Sequence, residues 1–153
     1  MKLFVRAAFA ALVLLAAQPA CAAGSDLDPA SAKALHDYAL SMDKINAMQA
    51  ATDEGRANAA LMKSLKSVGD DSKSIAEMEA KLSANGPAMA LYRKHGLSAH
   101  DVVVMPFVLM DAGMAAQYPS AAGKLSDRMS PAQVAFYKQH QTELKNMSWL
   151  FGG

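Results

Sequence analysis

Cysteine is nearly absent from this chain of 153 residues, and the single one, Cys21, lies close to the amino end. One cysteine cannot form an internal disulfide or supply the two thiols of a Cys-x-x-Cys-His haem attachment site. If the chain is cut after Ala22, no thiol is left to ligate a metal or to act as a nucleophile. We therefore expect an apolar core to stabilise the fold.

The sequence also lacks an excess of one charge, since 15 basic residues stand against 14 acidic ones. Proteins that bind nucleic acids usually carry a basic excess or stripe, so we expect no nucleic-acid partner. Catalytic motifs are missing as well: the histidines form no His-Glu-x-x-His, and neither a Gly-x-Ser-x-Gly elbow nor a P-loop occurs. We expect no enzymatic activity and no cofactor, and an enzyme with an unrecognised site is the third alternative.

Residues 1–22 have the pattern of a secretory signal peptide. Two basic residues come first, an apolar segment follows over 7–17, and Ala20-Cys21-Ala22 matches an A-x-A cleavage site. Cleavage there would leave residues 23–153 and place the protein in the periplasm or outside the cell. Cys21 allows an alternative, a lipid anchor on its thiol, but Gln18 stands where such anchors usually have an aliphatic residue.

The longest apolar segment predicts a helix at about residues 99–117. Ser98 and Asp101 have the spacing of a capping box, and the residues from Val102 to Met110 carry no charge. A helix with apolar residues on every side belongs in the core of a helical protein. A transmembrane span is the alternative, but the uninterrupted run is shorter than the roughly 20 residues required, and Pro106 and Asp111 interrupt it.

Around this segment, apolar residues recur at spacings of three and four, and helix caps separate them. The caps are Asp28 before Pro29, Ser74 with Glu77, and Ser130 before Pro131 with Gln133. No β-rich run suggests a sheet. The sequence therefore predicts one all-α domain over 23–153, a compact bundle of about five helices around the apolar one.

Asp111 is the only charged residue in the second half of the apolar helix. An ionised carboxylate is rarely buried without a partner, so Asp111 lies either at a solvated rim or against a cation from another helix. His140 is our first candidate partner, followed by a lysine or arginine. Because Glu143 lies one turn after His140, a cluster of Asp111, His140 and Glu143 would be a candidate binding site. The alternative is an ordinary surface pair of His140 and Glu143.

Methionine is abundant, with 11 residues in the chain. Thioethers and imidazoles suit Cu(I), so copper handling is the second functional alternative. Met110 and Met114 are four residues apart on the apolar helix and Met105 precedes them, which makes these three the candidate metal ligands. Methionine at helical spacing also fills cores, and that interpretation is the simpler one.

Four pieces of the sequence together resemble a group of small exported helical proteins of Gram-negative bacteria. They are, in chain order, DYALSMDKINAM, SIAEMEAKL, the apolar helix that opens with Gly-Leu-Ser, and SPAQVAFYKQHQTEL. The resemblance implies a helical fold and export, and it implies no activity or functional residue. We expect a non-enzymatic protein with a binding or envelope-associated role and an unknown partner.

Export is directly testable. The protein recovered from outside the cytoplasm should begin at Ala23, and intact-mass spectrometry would show it. A lipid-modified Cys21 at the amino terminus would instead establish the anchored alternative.

Overall fold

The computed structural model of the protein describes residues 27–69, 72–118, 120, 123–147 and 149, so the predicted signal peptide and Cys21 lie outside the described residues. Eight helices have their bounds within these ranges and no strand occurs there, which confirms the all-α prediction. The helices are α1 (Pro29–Asp37), α2 (Met42–Gly55), α3 (Ala59–Gly69), α4 (Ile75–Ala84), α5 (Gly86–Lys94), α6 (Ala99–Gln117), α7 (Pro131–Gln139) and α8 (Gln141–Lys145).

The predicted count of about five helices was too low, because caps divide the chain more finely than its apolar periodicity suggests. Ser41 accepts a bond from the Lys44 amide and starts α2 only four residues after α1 ends. Asn85 ends α4 and caps α5, and His140 stands between α7 and α8. The result is a set of short helices, most of them close to ten residues long.

The predicted caps are largely confirmed. Asp28 and Ser98 accept amide bonds at the starts of α1 and α6, and both halves of the capping box are formed at Ser98 and at Ser130. The box predicted at Ser74 is only half formed. Its hydroxyl accepts from the Glu77 amide, but the Glu77 carboxylate accepts from the amide of Lys73.

The apolar helix occupies residues Ala99–Gln117, as predicted, and contacts α1, α4, α5 and α7. Val104, Met105 and Ala112 are completely buried, and Val108 is 1% exposed. Burial of branched and thioether side chains of this size contributes about 1.5–3 kcal/mol each to the free energy of folding. This helix is therefore the centre of the main apolar core.

Among the described residues, α6 is also the helix whose length and hydropathy would suffice to cross a membrane. Just over half of the residues in its most apolar stretch are buried inside the protein, against other helices. The central helix of a folded domain has the same length and composition, and the contacts described above are those of such a helix.

A buried carboxylate connects the start of α6 to the first two helices. Asp101 accepts hydrogen bonds from the Ser98 amide and hydroxyl, from the Tyr38 hydroxyl at 2.9 Å, and from Lys44 Nζ at 2.5 Å. Burial alone would raise the pKa of Asp101, but the donors Lys44, Ser98 and Tyr38 outweigh it and hold this pKa well below its usual range. The carboxylate therefore stays ionised and fixes the join between α1 and α2 against α6.

A buried amide makes a second connection, between α7 and the carboxyl end of α1. Gln133 Nε2 donates to the carbonyl oxygens of Leu35 at 2.7 Å, Tyr38 at 2.9 Å and His36 at 3.2 Å. Its Oε1 accepts from the Ser130 amide. Carbonyls at a helix end lack a partner in a following turn of the same helix. The Leu35 carbonyl also accepts from the Tyr38 amide, and Gln133 adds further hydrogen bonds at this helix end.

The helices α6 and α7 approach closely at Gly113. A Cβ atom at that position would lie 3.0 Å from the ring of Tyr137, closer than ordinary packing allows. Just beyond this contact, Ala115, Leu125 and Met129 form a second, smaller apolar cluster. The cluster holds the segment between α6 and α7 against the second half of α6.

Candidate binding site

A groove of about 1000 Å³ lies between α1, α4 and the second half of α6, and residues 124–128 complete its lining. Apolar side chains from every one of these segments contribute to it. Among them are Leu35 of α1, Ile75 of α4, Phe107 of α6 and Leu125 of the segment after α6. The volume is at the upper end of the range of about 300–1000 Å³ that is usual for ligand sites.

Two of the three predicted methionine ligands line this groove. Met110 and Met114 are 40% and 42% exposed, and they and Tyr118 are the exposed large hydrophobic side chains of the described residues. Met105 is fully buried instead, and it does not line the groove. Five residues of α-helix place Met105 roughly 140° around the axis from Met110. The three methionines therefore do not share one face of the helix, and their grouping as metal ligands stays a prediction.

Asp111 lies at the wall of the groove, 2% exposed, and its cationic partner is Arg128. Arg128 Nε lies 2.8 Å from Oδ2 of Asp111, and Nη2 donates to Oδ1 at 3.1 Å. Burial raises the pKa of Asp111, and the charge and the hydrogen bond of Arg128 offset only part of this effect. Of the two predicted alternatives, the buried carboxylate with a cation is the one observed.

His140, our first candidate for that cation, lies elsewhere. Its Nδ1 is 3.3 Å from Oε2 of Glu143, and its ring centroid is 4.5 Å from that of Phe136. Glu143 is largely exposed, as expected of a surface pair on neighbouring helical turns. Within the described residues, no hydrogen bond or ion pair joins Asp111 to His140, and a shared binding role of Asp111, His140 and Glu143 stays a prediction. No group of three or more His, Cys, Asp or Glu among these residues could hold a metal ion.

Arg128 is the residue of this site that sequence reasoning did not identify. It lies in a polar segment between two helices, 17 residues after Asp111, and no helical periodicity relates the two. One signal was available: Leu125 and Met129 are four residues apart, and both are buried against Ala115. Such an apolar pair anchors the segment to α6 and brings Arg128 to the buried carboxylate.

The charges around the groove are close to balanced, with a small basic excess. Lys33 pairs with Asp37, and His36 Nδ1 lies 3.1 Å from the same carboxylate. Lys73 and Lys124 also line the groove, and no ion pair of their ammonium groups occurs among the residues that the structure describes. The basic groups not neutralised by a neighbour therefore flank an apolar surface.

Comparisons with protein-family models, with curated proteins and with solved structures found no match for this chain. The resemblance to small exported helical proteins stays a prediction. The case for a function therefore depends on the groove itself.

The ion pair in the groove gives a test by mutation. Arg128→Met keeps a long side chain but leaves the Asp111 carboxylate buried alone, which should lower the free energy of unfolding by about 3 kcal/mol at neutral pH. Because the pKa of Asp111 is raised in the folded state, protonation stabilises the fold, and the loss should shrink as the pH falls toward 4.

Urea denaturation of Arg128→Met and of the double variant Asp111→Asn/Arg128→Met at several pH values measures this effect. The double variant should recover most of the lost stability and lose the part of the pH dependence that comes from Asp111. A single variant within about 0.5 kcal/mol of the unmodified protein would show that the pair is not buried.

Proposed function

We propose that this is an exported, non-enzymatic binding protein, and that the groove binds an amphiphile with an apolar chain and an anionic head group. The observation that carries the proposal is the pair Met110 and Met114. Both are exposed on a helix whose other large apolar side chains are buried or half-buried, and both line the groove. Exposed apolar side chains gathered in a concave surface are typical of a ligand site.

The apolar part of the ligand would lie on methionine and aliphatic side chains. Methionine has three rotatable bonds and a polarisable sulfur, so Met78, Met110 and Met114 can adapt to chains that differ in shape. Adaptable methionine surfaces are characteristic of proteins that accept several related ligands. We therefore expect the groove to select for an apolar chain rather than for one exact molecule.

The head group would lie near the basic side chains of the lining. Lys73 and Lys124 flank the apolar surface without an ion pair among the described residues, and their charges favour a carboxylate or phosphate over a cation. Asp37, Asp111 and Asp127 line the groove as well, so the basic excess is small. The head group should therefore set the orientation of the ligand and the preference for an anion, whereas most of the affinity comes from burial of the ligand's apolar chain.

The groove hydroxyls support binding rather than nucleophilic catalysis. Ser72 donates to the Val68 carbonyl, and Ser74 accepts from the Glu77 amide as a helix cap. Ser126, the third serine of the lining, donates to the Gly123 carbonyl at 3.1 Å and lies 3.4 Å from Asp127 Oδ1. A serine nucleophile needs a base within hydrogen-bond reach, and all three hydroxyls are engaged with backbone groups. His36, the imidazole that lines the groove, contacts the exposed carboxylate of Asp37.

Export forms part of the proposal, and its support is the signal-like pattern of residues 1–22. A helical domain that follows such a segment would act in the periplasm or outside the cell, where amphiphiles from the envelope are available. Attachment through a lipid on Cys21 would keep the same groove next to the membrane.

Copper handling is the second candidate, because four suitable donors line one groove. Met78, Met110 and Met114 offer thioethers, and His36 offers an imidazole. Soft sulfur donors with imidazole favour Cu(I). The two candidates differ in what they require of the methionines: the amphiphile needs apolar surface, and the metal needs sulfur.

Calorimetry with dodecanoate and dodecyltrimethylammonium, both below their micelle concentrations, tests the proposed function, since the two share a chain and differ in head charge. Dodecanoate should bind saturably and more tightly. The double variant Met110→Gln/Met114→Gln should lower the affinity for dodecanoate about tenfold. This is the loss expected when each partly exposed methionine side chain contributes somewhat under 1 kcal/mol to binding. Glutamine and methionine have similar helix propensities, so the fold should not change.

Two further variants complete the design. Tyr118→Gln removes the third exposed large hydrophobic side chain, which does not line the groove, and should leave binding unchanged. The double variant Met110→Leu/Met114→Leu should bind dodecanoate with an affinity within about twofold of the unmodified protein, because the groove stays apolar and of similar volume. Loss of Cu(I) binding in that leucine variant, with no dodecanoate binding in any form, would contradict the proposal and favour the metal.

A further inference from the structure

A second, smaller cavity of about 140 Å³ lies next to the groove, beside the first half of α6. Its lining is apolar almost throughout and includes the aromatic rings of Tyr92, Phe107 and Trp149. An apolar cavity of about 150 Å³ is large enough to hold a benzene-sized group. The cavity could thus hold the end of a hydrocarbon chain, although it is too small for a whole amphiphile.

The wall of this cavity includes the position at which α6 lacks one backbone hydrogen bond. Pro106 has no N–H, so it cannot bond the carbonyl of Val102, and both residues line the cavity. Trp149, from the carboxyl end of the described chain, lies in the same wall and is buried. Within the part of the chain that the structure describes, its indole nitrogen has no hydrogen-bond partner.

The cavity and the groove meet at two side chains. Met78 and Phe107 line both, and both are only partly buried. Met78 in particular can change rotamer at little cost because its side chain is unbranched. Two side chains, one of them flexible, therefore separate the two spaces.

Two helices carry a continuous apolar stripe from one space into the other. Met114, Met110, Phe107 and Val103 of α6 follow at spacings of four, three and four, and so share one helix face. Ile75, Met78 and Leu82 do the same on α4, which packs against α6. On both helices the groove lies at one end of the stripe, the cavity at the other, and the shared residue between them.

From these observations we propose that the groove and the cavity form one site for a single acyl chain of membrane-lipid length. The inference rests on the proposed function and deepens it. The stripe from Met114 to Val103 rises about 17 Å along α6. One leaflet of the hydrocarbon core of a bilayer is about 15 Å deep, so a lipid tail matches this length. The anionic head lies near Lys124, and the chain end lies beneath Pro106 against Trp149.

Trp149 is the only tryptophan of the chain, so its fluorescence reports on that end of the site alone. Bromine quenches tryptophan at short range. Hexadecanoate brominated at its terminal carbon should quench Trp149 strongly and saturably, and hexadecanoate brominated beside the carboxylate should quench it weakly. Octanoate should bind the groove by calorimetry with no change in the emission of Trp149.

A variant that fills the cavity tests the same assignment. Val102 lines the cavity and not the groove, so Val102→Phe should lower the affinity for hexadecanoate at least tenfold and leave the affinity for octanoate unchanged. Val134→Phe is the matched control, since Val134 is partly buried in the second apolar cluster and lines neither space. Thermal melting of both variants shows whether each is folded, and the bromine experiment on the unmodified protein needs no variant.

The outcomes separate the two proposals. Saturable binding of hexadecanoate with equal quenching from both bromine positions, or with none, would overturn the single continuous site and leave the groove as the binding site. No saturable binding of any chain would overturn the proposed function together with this inference. Terminal quenching that Val102→Phe abolishes would establish the continuous site.

Discussion

The burial of α6 is the constraint on which the rest of this structure depends. A 19-residue helix with apolar side chains on nearly every side is stable in water only where other helices cover it. Its main helix contacts are with α1, α4, α5 and α7, and most of these are short, so each covers a limited part of its surface. Buried polar side chains fix the positions of these surrounding helices. Asp101 connects the start of α6 to Tyr38 and Lys44, and Gln133 connects α7 to the end of α1. Because these side chains are buried and fully hydrogen-bonded, they specify one arrangement among the many that apolar contacts alone would allow.

The neighbouring helices leave part of the second half of α6 exposed, and this exposed part lines the groove that we propose as the binding site. Met110 and Met114 are exposed there, beside the buried carboxylate of Asp111. The guanidinium of Arg128 binds this carboxylate from the turn segment between α6 and α7. The ion pair of Asp111 and Arg128 does not compensate fully for the burial of the carboxylate, as the raised pKa of Asp111 shows. A buried pair of this kind is weak evidence for stability. It does hold the segment of residues 124–128 at the groove, where that segment contributes part of the lining.

The features that the sequence predicted well are those whose physics is local. The bounds of α6, the capping box at Ser98 and the box at Ser130 each depend on groups within three or four residues, and all three are observed. What it could not predict depends on contacts between distant positions. The partner of Asp111 is 17 residues away in a segment with no periodicity, and Met78 approaches Phe107 only because α4 packs on α6. Met105 is close to Met110 along the chain, but the helical angle places the two residues on different faces of α6. His140 and Glu143 show the reverse case, in which correct helical spacing produced the expected pair, although at the surface.

The central claim is that α6 is buried on all sides except the face of Met110 and Met114. Two substitutions on this one helix test it most directly, Val108→Asp and Met114→Asp, compared by their free energies of unfolding in urea. Val108 is 1% exposed, so Val108→Asp should bury an unpaired charge and cost several kcal/mol, on the order of 3–5. Met114 is 42% exposed in the groove, so Met114→Asp should cost less than about 1 kcal/mol. Equal losses for the two variants, or a loss below about 0.5 kcal/mol for Val108→Asp, would contradict this account of the fold and of the groove built on it.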